Sequence, residues 1–373
     1  MKSANIILSN TYLAGFYKII DQIKQKVDSD KFGNIILVVP DKFSLNAEQI
    51  FMEKIGLNSV FNVWLTTFSR LIAKVVADDG DGLSLLSKNS GTMLVSEIIL
   101  KNADKISTYK KISNNYALAE TMFNVINLLK SSGVKPEELK NNFDQTNFGL
   151  KLKDIYLVYS EYEKAMKDKI DSITRLEIFD KKVKQSDYIK NNDIYFAMFE
   201  SFTNVQQASL ANLAKYAKSF NISLCANTLQ PNHYIYCNDV FQKLRGYFEN
   251  NFIKCNVTNT TLNGTELQNF LSKNLLGFGV KNKLETNAVK IVGCDNTLQE
   301  VRYIASKIKY MVLQKGYNFD DINVAINGLD DYALDVQQVF DEFDLPYYMD
   351  KSRTMLDHYF VKLLLKIADF VCG

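Results

Sequence analysis

The sequence predicts an α/β protein: a parallel sheet interrupted by a helical block, followed by the start of a second α/β domain. Three observations carry that expectation. Asn34-Ile-Ile-Leu-Val-Val39 is apolar after Asn34 and rich in β-branched residues, as suits a strand buried on both faces of a parallel sheet. Pro40 ends that strand because it has no N–H for the ladder, and Leu45 onward has a helical pattern. From Leu85 to about Lys184 the pattern is helical almost throughout, and strand-like runs return only at Asp193-Ile-Tyr-Phe-Ala-Met198.

Taken in order, Asn5-Ile-Ile-Leu8 is the first strand and Ser9 to Phe16 a turn. Tyr17 to Val27 is a helix with Ile19, Ile20, Ile23 and Val27 on one face. With the strand at Asn34 this makes a right-handed βαβ unit. Val60 to Thr66 is the next strand, Thr67-Phe68-Ser69-Arg70 its turn, and Leu71 to Ala77 the start of a helix. Asp78-Asp-Gly-Asp-Gly82 is a turn cluster and a boundary. In the helical block, Leu118, Met122, Val125, Ile126 and Leu129 recur at helical spacing up to Ser131-Ser-Gly133. Val134-Lys-Pro136-Glu-Glu138 opens the next helix, with proline and acids in its first turn. Leu152 to Met166 carries Ile155, Tyr156, Tyr159 and Tyr162 on one face, read as a helix–helix seam rather than a stacking stripe.

After the strand at Asp193 come a turn, Phe199-Glu-Ser-Phe-Thr203, a helix from Val205 to Ser219 and a strand at Ile222-Ser-Leu-Cys225. Asn227 to about Leu284 is polar and poorly periodic apart from a helix near Val240 to Glu249. Val289–Val292, Ile322–Ile326 and Pro346–Met349 read as strands. Between them lie a helix opened by the capping-box form Thr297-Leu-Gln-Glu300 and ended by Lys315-Gly316, and a helix from Tyr332 to Phe343. Thr354 to Val371 begins something helical, and the chain then reads as cut off. The expected domains are 1–84 with 190–285, a helical insertion at 85–189, and 286–373.

Hydrophobic residues make up 47% and aromatics 12%, which excludes global disorder. A net charge of +2 excludes a surface-wide polyanion binder but leaves room for one basic groove. No apolar run nears the roughly 18 residues of a membrane span, and the amino-terminal run is too short for a signal peptide. Cys225, Cys237, Cys255, Cys294 and Cys372 contain no C-x-x-C, which suits free thiols in a reducing cytoplasm. His233 and His358 are far apart, so neither a His-based triad nor a metal site is expected.

A polar turn at the carboxyl end of a buried parallel strand is where open α/β sheets bind ligands. Two such turns would put Lys42, Ser44, Thr67, Phe68 and Arg70 on one rim, with Phe199 and Phe202 at a further strand end. An aromatic for stacking, a guanidinium for phosphate and hydroxyls suit single-stranded nucleic acid. The alternative leaves Phe68 in the core and Arg70 a solvated charge. A phosphate cradle would need a Gly-rich first turn ending in Gly-Lys-Ser/Thr. Ser9-Asn-Thr-Tyr-Leu-Ala-Gly15-Phe-Tyr-Lys18 has one glycine, and its lysine lies three residues beyond it.

Val38-Val-Pro-Asp-Lys42 and Thr66-Thr-Phe-Ser-Arg-Leu71 resemble turns with which superfamily 1 helicases hold single-stranded DNA. Phe199-x-x-Phe202-Thr203, Asp321-Ile-Asn-Val-Ala-Ile326, Leu345-Pro-Tyr-Tyr-Met-Asp350 and Met355-Leu-Asp-His358 resemble the amino-terminal part of the B-type component of the AddAB/RexAB helicase–nuclease. The resemblance implies a RecA-like sheet domain with a helical insertion, then the start of a second RecA-like domain. It implies a role in double-strand break repair and recombination, with DNA and an A-type helicase–nuclease subunit as partners. In that family Mg²⁺ and an iron–sulfur cluster belong to a nuclease domain beyond residue 373, so no cofactor or catalytic residue is expected here. The nucleotide site would be degenerate: Gly15 and Lys18 replace the cradle, Ala197 a carboxylate, Met198 a glycine and Asn327 an arginine. Ala73 stands where hotspot-reading members often have further aromatic character. An active hydrolase with an atypical phosphate loop, and a scaffold that never touches DNA, are the other readings.

Overall fold

The computed structural model describes residues 2–29, 33–56, 61–77, 84–167, 169–226, 235–262, 264–274, 283–351, 355 and 358–372. The turn cluster expected at 78–82 lies outside them. The chain divides into two compact units, Met1–Leu284 and Glu285–Gly373.

The first unit is built on β1 (Ser3–Ser9), α1 (Tyr12–Ser29), β2 (Asn34–Val39), α2 (Ser44–Ile55), β3 (Val63–Thr67) and α3 (Phe68–Ala77). A helical block follows. It comprises β4 (Ser84–Leu85), α4 (Lys88–Lys101), α5 (Tyr116–Ser131), α6 (Asn147–Ala165), β5 (Lys169–Ile170) and α7 (Ser172–Val183). The sheet resumes with α8 (Asp187–Lys190), β6 (Asn192–Phe196), α9 (Asn204–Tyr216), β7 (Ser219–Cys225), α10 (Ile235–Asn250) and β8 (Lys254–Thr260), followed by α11 (Glu266–Asn274).

Six strands form one sheet in the order β3-β2-β6-β7-β1-β8, every pair parallel. All six carboxyl ends therefore share one rim. The apolar run of β2 is buried on both faces. Ile36 and Val38 pack with Leu71, Phe179 and Leu210 of α3, α7 and α9, whereas Ile35, Leu37 and Val39 pack with Ile19, Ile23 and Phe51 of α1 and α2. This is the mixed α/β architecture of a RecA-like domain. On the α1 face a polar line crosses the sheet. The Asn256 amide donates to Asn5 at 3.1 Å, and Asn5 donates to Asn221 at 2.9 Å. Ser219 donates to Asp193, whose carboxylate meets Lys26 at 2.6 Å. Satisfied polar chains of this kind fix strand register.

The helical block has its own core, including Val95, Ile99, Met122, Ile126, Val158, Tyr159 and Tyr162. Tyr159 and Tyr162 are buried, as a helix–helix seam requires. Lys130 is buried between Asp171 at 2.6 Å and Glu163 at 2.8 Å, tying α5 to the start of α7. Burial alone would raise the Asp171 carboxyl, but Lys130 and the Thr174 N–H hold it below its ordinary value.

Four boundaries differ from expectation. The β1–α1 turn holds only Asn10 and Thr11, because the Thr11 hydroxyl accepts the Ala14 N–H and starts the helix at Tyr12. β3 runs into α3 with no loop, so Thr67–Arg70 is a strand end and a first helical turn. β8 is a sixth strand inside the polar, poorly periodic segment; it is an exposed edge, so its residues are polar. Asn296, not Thr297, caps α12 (Thr297–Lys315), and the Thr297 hydroxyl donates instead to Asp335 at 2.7 Å.

In the second unit α12 packs against α13 (Leu329–Glu342) around Val301, Ala305, Val336, Val339 and Phe340, and α14 (Tyr359–Cys372) follows. Gly316 ends α12 at φ +72° as expected. Residues 289–292, 322–326 and 346–349 form no ladder among the described residues. Ile322, Ile326 and Met349 pack on the helices, but Ile291 and Tyr348 are 97% and 90% exposed. A buried parallel strand needs cover on both faces, and these segments have it on one at most. Among the described residues no helix is long and apolar enough to cross a membrane.

Candidate functional site

Two strand-end turns meet on the rim. After Pro40, Asp41–Phe43 make one turn of 3₁₀ helix that runs into α2, and the Ser44 hydroxyl donates to the Asp41 carbonyl at 2.9 Å. At the neighbouring strand end the Thr67 hydroxyl accepts the Arg70 N–H at 3.4 Å, capping α3. Ser69 joins the two turns. Its hydroxyl lies 2.9 Å from that of Thr67 and donates to Asp41 Oδ1, also at 2.9 Å.

Lys42 and Arg70 directly follow the two joined residues, and both are exposed. Neither has a carboxylate partner among the described residues. Thr67 is buried and serves as a cap, and Ser44 is half-buried. The site thus offers two cations held at a fixed separation, with hydroxyls between them. Sequence reasoning does not single out Asp41 and Ser69; a serine just inside the helix start was the available signal.

The aromatics do not join this surface. Phe68 is 5% exposed and meets Phe196 edge-on at 5.4 Å and Phe179 at 6.2 Å. As the first residue of α3 it turns inward, so the stacking role is corrected to packing. Phe202 is buried and stacks on half-buried Phe199 at 5.1 Å, which itself lies 5.6 Å from Phe196. Met198, between these rings, has φ +67°, a conformation glycine adopts without strain.

At the β1–α1 turn, Thr11 occupies the Ala14 N–H, and the Asn10 side chain pairs both ways with the Leu262 backbone, at 3.0 and 3.4 Å. A Cβ on Gly15 would lie 2.8 Å from Ser9 Oγ and 2.9 Å from Ser223 Cβ. Gly15 thus lets α1 approach the sheet closely. Lys18 is exposed on the next turn of α1. Ala197 is fully buried and apolar. In the second unit, Asn327 is exposed before Gly328, whose φ of +74° opens α13. No cluster of three metal-ligating side chains occurs among the described residues.

The family described as ADDB, N-terminal, matches residues 16–275, more than half of the chain. Proteins named as the second (B-type) component of an ATP-dependent helicase/deoxyribonuclease are similar along its length. Those of Clostridium botulinum (strain Hall) and Clostridium kluyveri are 27% identical, covering 94% of this chain. That of Clostridium perfringens is 23% identical over the same share. The chain spans about a third of these relatives, 32% of each. By the extent of the family match, the chain belongs to the ADDB amino-terminal family.

Proposed function

We propose that this chain is the amino-terminal region of the B-type component of an ATP-dependent helicase–nuclease acting in double-strand break repair, working beside an A-type partner subunit. In this reading the first unit is a helicase-like domain that holds single-stranded DNA without hydrolysing nucleotide. Lys42 and Arg70 contact phosphate or base edges, and Ser44 and Ser69 add hydroxyl contacts. The observation that carries it is the Asp41–Ser69 bond, which sets two cations side by side on the strand-end rim.

The residues at the first turn do not fit a nucleotide phosphate. A cradle needs several free N–H groups, and here the turn is two residues long, capped by Thr11 and occupied by Asn10 and Leu262. Ala197 supplies no carboxylate for Mg²⁺. Of the seven residues expected to meet DNA, the reading keeps Lys42, Ser44 and Arg70, retains Thr67 as their support, and gives Phe68, Phe199 and Phe202 to packing.

The test is fluorescence anisotropy of a labelled single-stranded oligonucleotide over a salt series, with ATP turnover assayed on the same sample. Salt-sensitive binding without turnover is expected. Turnover would sink the inactive-motor part, and absence of binding would sink the DNA part.

A further inference from the structure

Trp64 is the one tryptophan of the chain. It lies on β3, the edge strand of the sheet, and is 57% exposed. Lys74 of α3 places its ammonium 4.4 Å from the centre of the Trp64 ring and 4.1 Å from that of Tyr188 on α8. This cation–π staple accounts for one side of the indole. The other side faces solvent along an edge that no described strand pairs.

The staple is continuous with the rim. Arg70 and Lys74 are four residues apart on α3, so they share a helix face with Cβ atoms about 5–6 Å apart. Trp64 precedes Thr67 by three strand residues, about 10 Å down the edge. Neither Arg70 nor Lys74 has a carboxylate partner among the described residues. Two such cations in line with an exposed, rigidly held indole complement a chain that alternates phosphates with planar bases.

We propose that the Trp64–Lys74–Tyr188 cluster is a second contact for single-stranded nucleic acid, with a base stacked on the open side of Trp64 and phosphates at Lys74 and Arg70. The proposal rests on the DNA reading of the rim and extends it down the sheet edge. It replaces buried Phe68 with Trp64 as the stacking platform.

Trp64 reports on itself. In the 373-residue chain, an unlabelled oligothymidylate is expected to quench its emission saturably, with the quench lost at high salt. An abasic oligonucleotide of equal length is expected to bind without the quench. Trp64→Leu should weaken binding about 5- to 150-fold, as for loss of one stacked base. Lys74→Gln should make the salt slope shallower by about 0.7. Equal quenching by the abasic strand would overturn stacking. Binding by anisotropy with unchanged indole emission would overturn this contact while sparing the rim. It would also return the edge to the other possible occupant, an extended protein segment paired to β3. No binding by either readout would overturn both.

Discussion

Ser69 Oγ donates to Asp41 Oδ1 across 2.9 Å, and the two residues follow different strands of the sheet. Each is followed in sequence by a cation, so this one bond sets the spacing of Lys42 and Arg70. Ser69→Ala removes the donor and leaves the exposed Asp41 carboxylate to water. Thermal unfolding should register at most about 0.5–1.5 kcal/mol, the ordinary net worth of a hydrogen bond. Affinity for single-stranded DNA should fall measurably in an anisotropy titration, because the cations lose their alignment. A variant that binds as wild type would remove the bond from the functional account.

Phe68 makes the opposite prediction. Its ring fills the space between Phe179 and Phe196. Phe68→Ala should cost about 3–5 kcal/mol in denaturant unfolding, as for other large cavities. Phe68→Leu should cost much less and leave DNA affinity unchanged. A Leu variant that folds normally but fails to bind DNA would restore the stacking role.

Gly15 tests whether the first turn is a packing device. Gly15→Ala puts a methyl 2.8 Å from Ser9 Oγ and 2.9 Å from Ser223 Cβ, so α1 or β7 must shift. A cost of about 1–3 kcal/mol is expected, partly recovered by Ser223→Gly in the same chain. Full additivity of the two changes would argue against the contact.

Asp180 carries the pH prediction. Burial pushes its carboxyl above the ordinary range, opposed in part by hydrogen bonds from Ser209 and Asn212. A raised folded value means that the stability it contributes is complete in acid, below about pH 4, and is lost as pH rises through that value. Asp180→Asn should therefore raise the melting temperature at neutral pH, and the gain should vanish in acid. A gain that is constant with pH would assign the effect to something other than ionisation.

How far the sequence was legible follows from burial. The run at Asn34–Val39 announced itself because both faces of β2 are covered. β8 did not, because an exposed edge strand can read Lys-Cys-Asn-Val-Thr-Asn-Thr. The segments 322–326 and 346–349 looked like strands from composition, yet a ladder depends on a neighbour that local composition does not supply. At the site, Lys42 and Arg70 were found because a turn after a buried strand is exposed by construction. Phe68 was misassigned because Thr67-Phe-Ser-Arg70 resembles a turn, whereas the Thr67 hydroxyl starts the helix one residue later and swings Phe68 inward. The Asp41–Ser69 bond joins residues 28 apart in sequence, and no local pattern foretells it.

The central claim is that the rim holds single-stranded DNA through Lys42 and Arg70 with no motor beneath it. The most direct measurement is the salt dependence of oligonucleotide anisotropy for the wild type and for Lys42→Ala/Arg70→Ala, with ATP turnover followed in both. The account predicts weaker binding by the double variant, a log–log salt slope shallower by about 1.4 for two lost phosphate contacts, and no turnover in either. Equal slopes would contradict the assignment of these two cations, and turnover by the wild type would contradict the inactive domain.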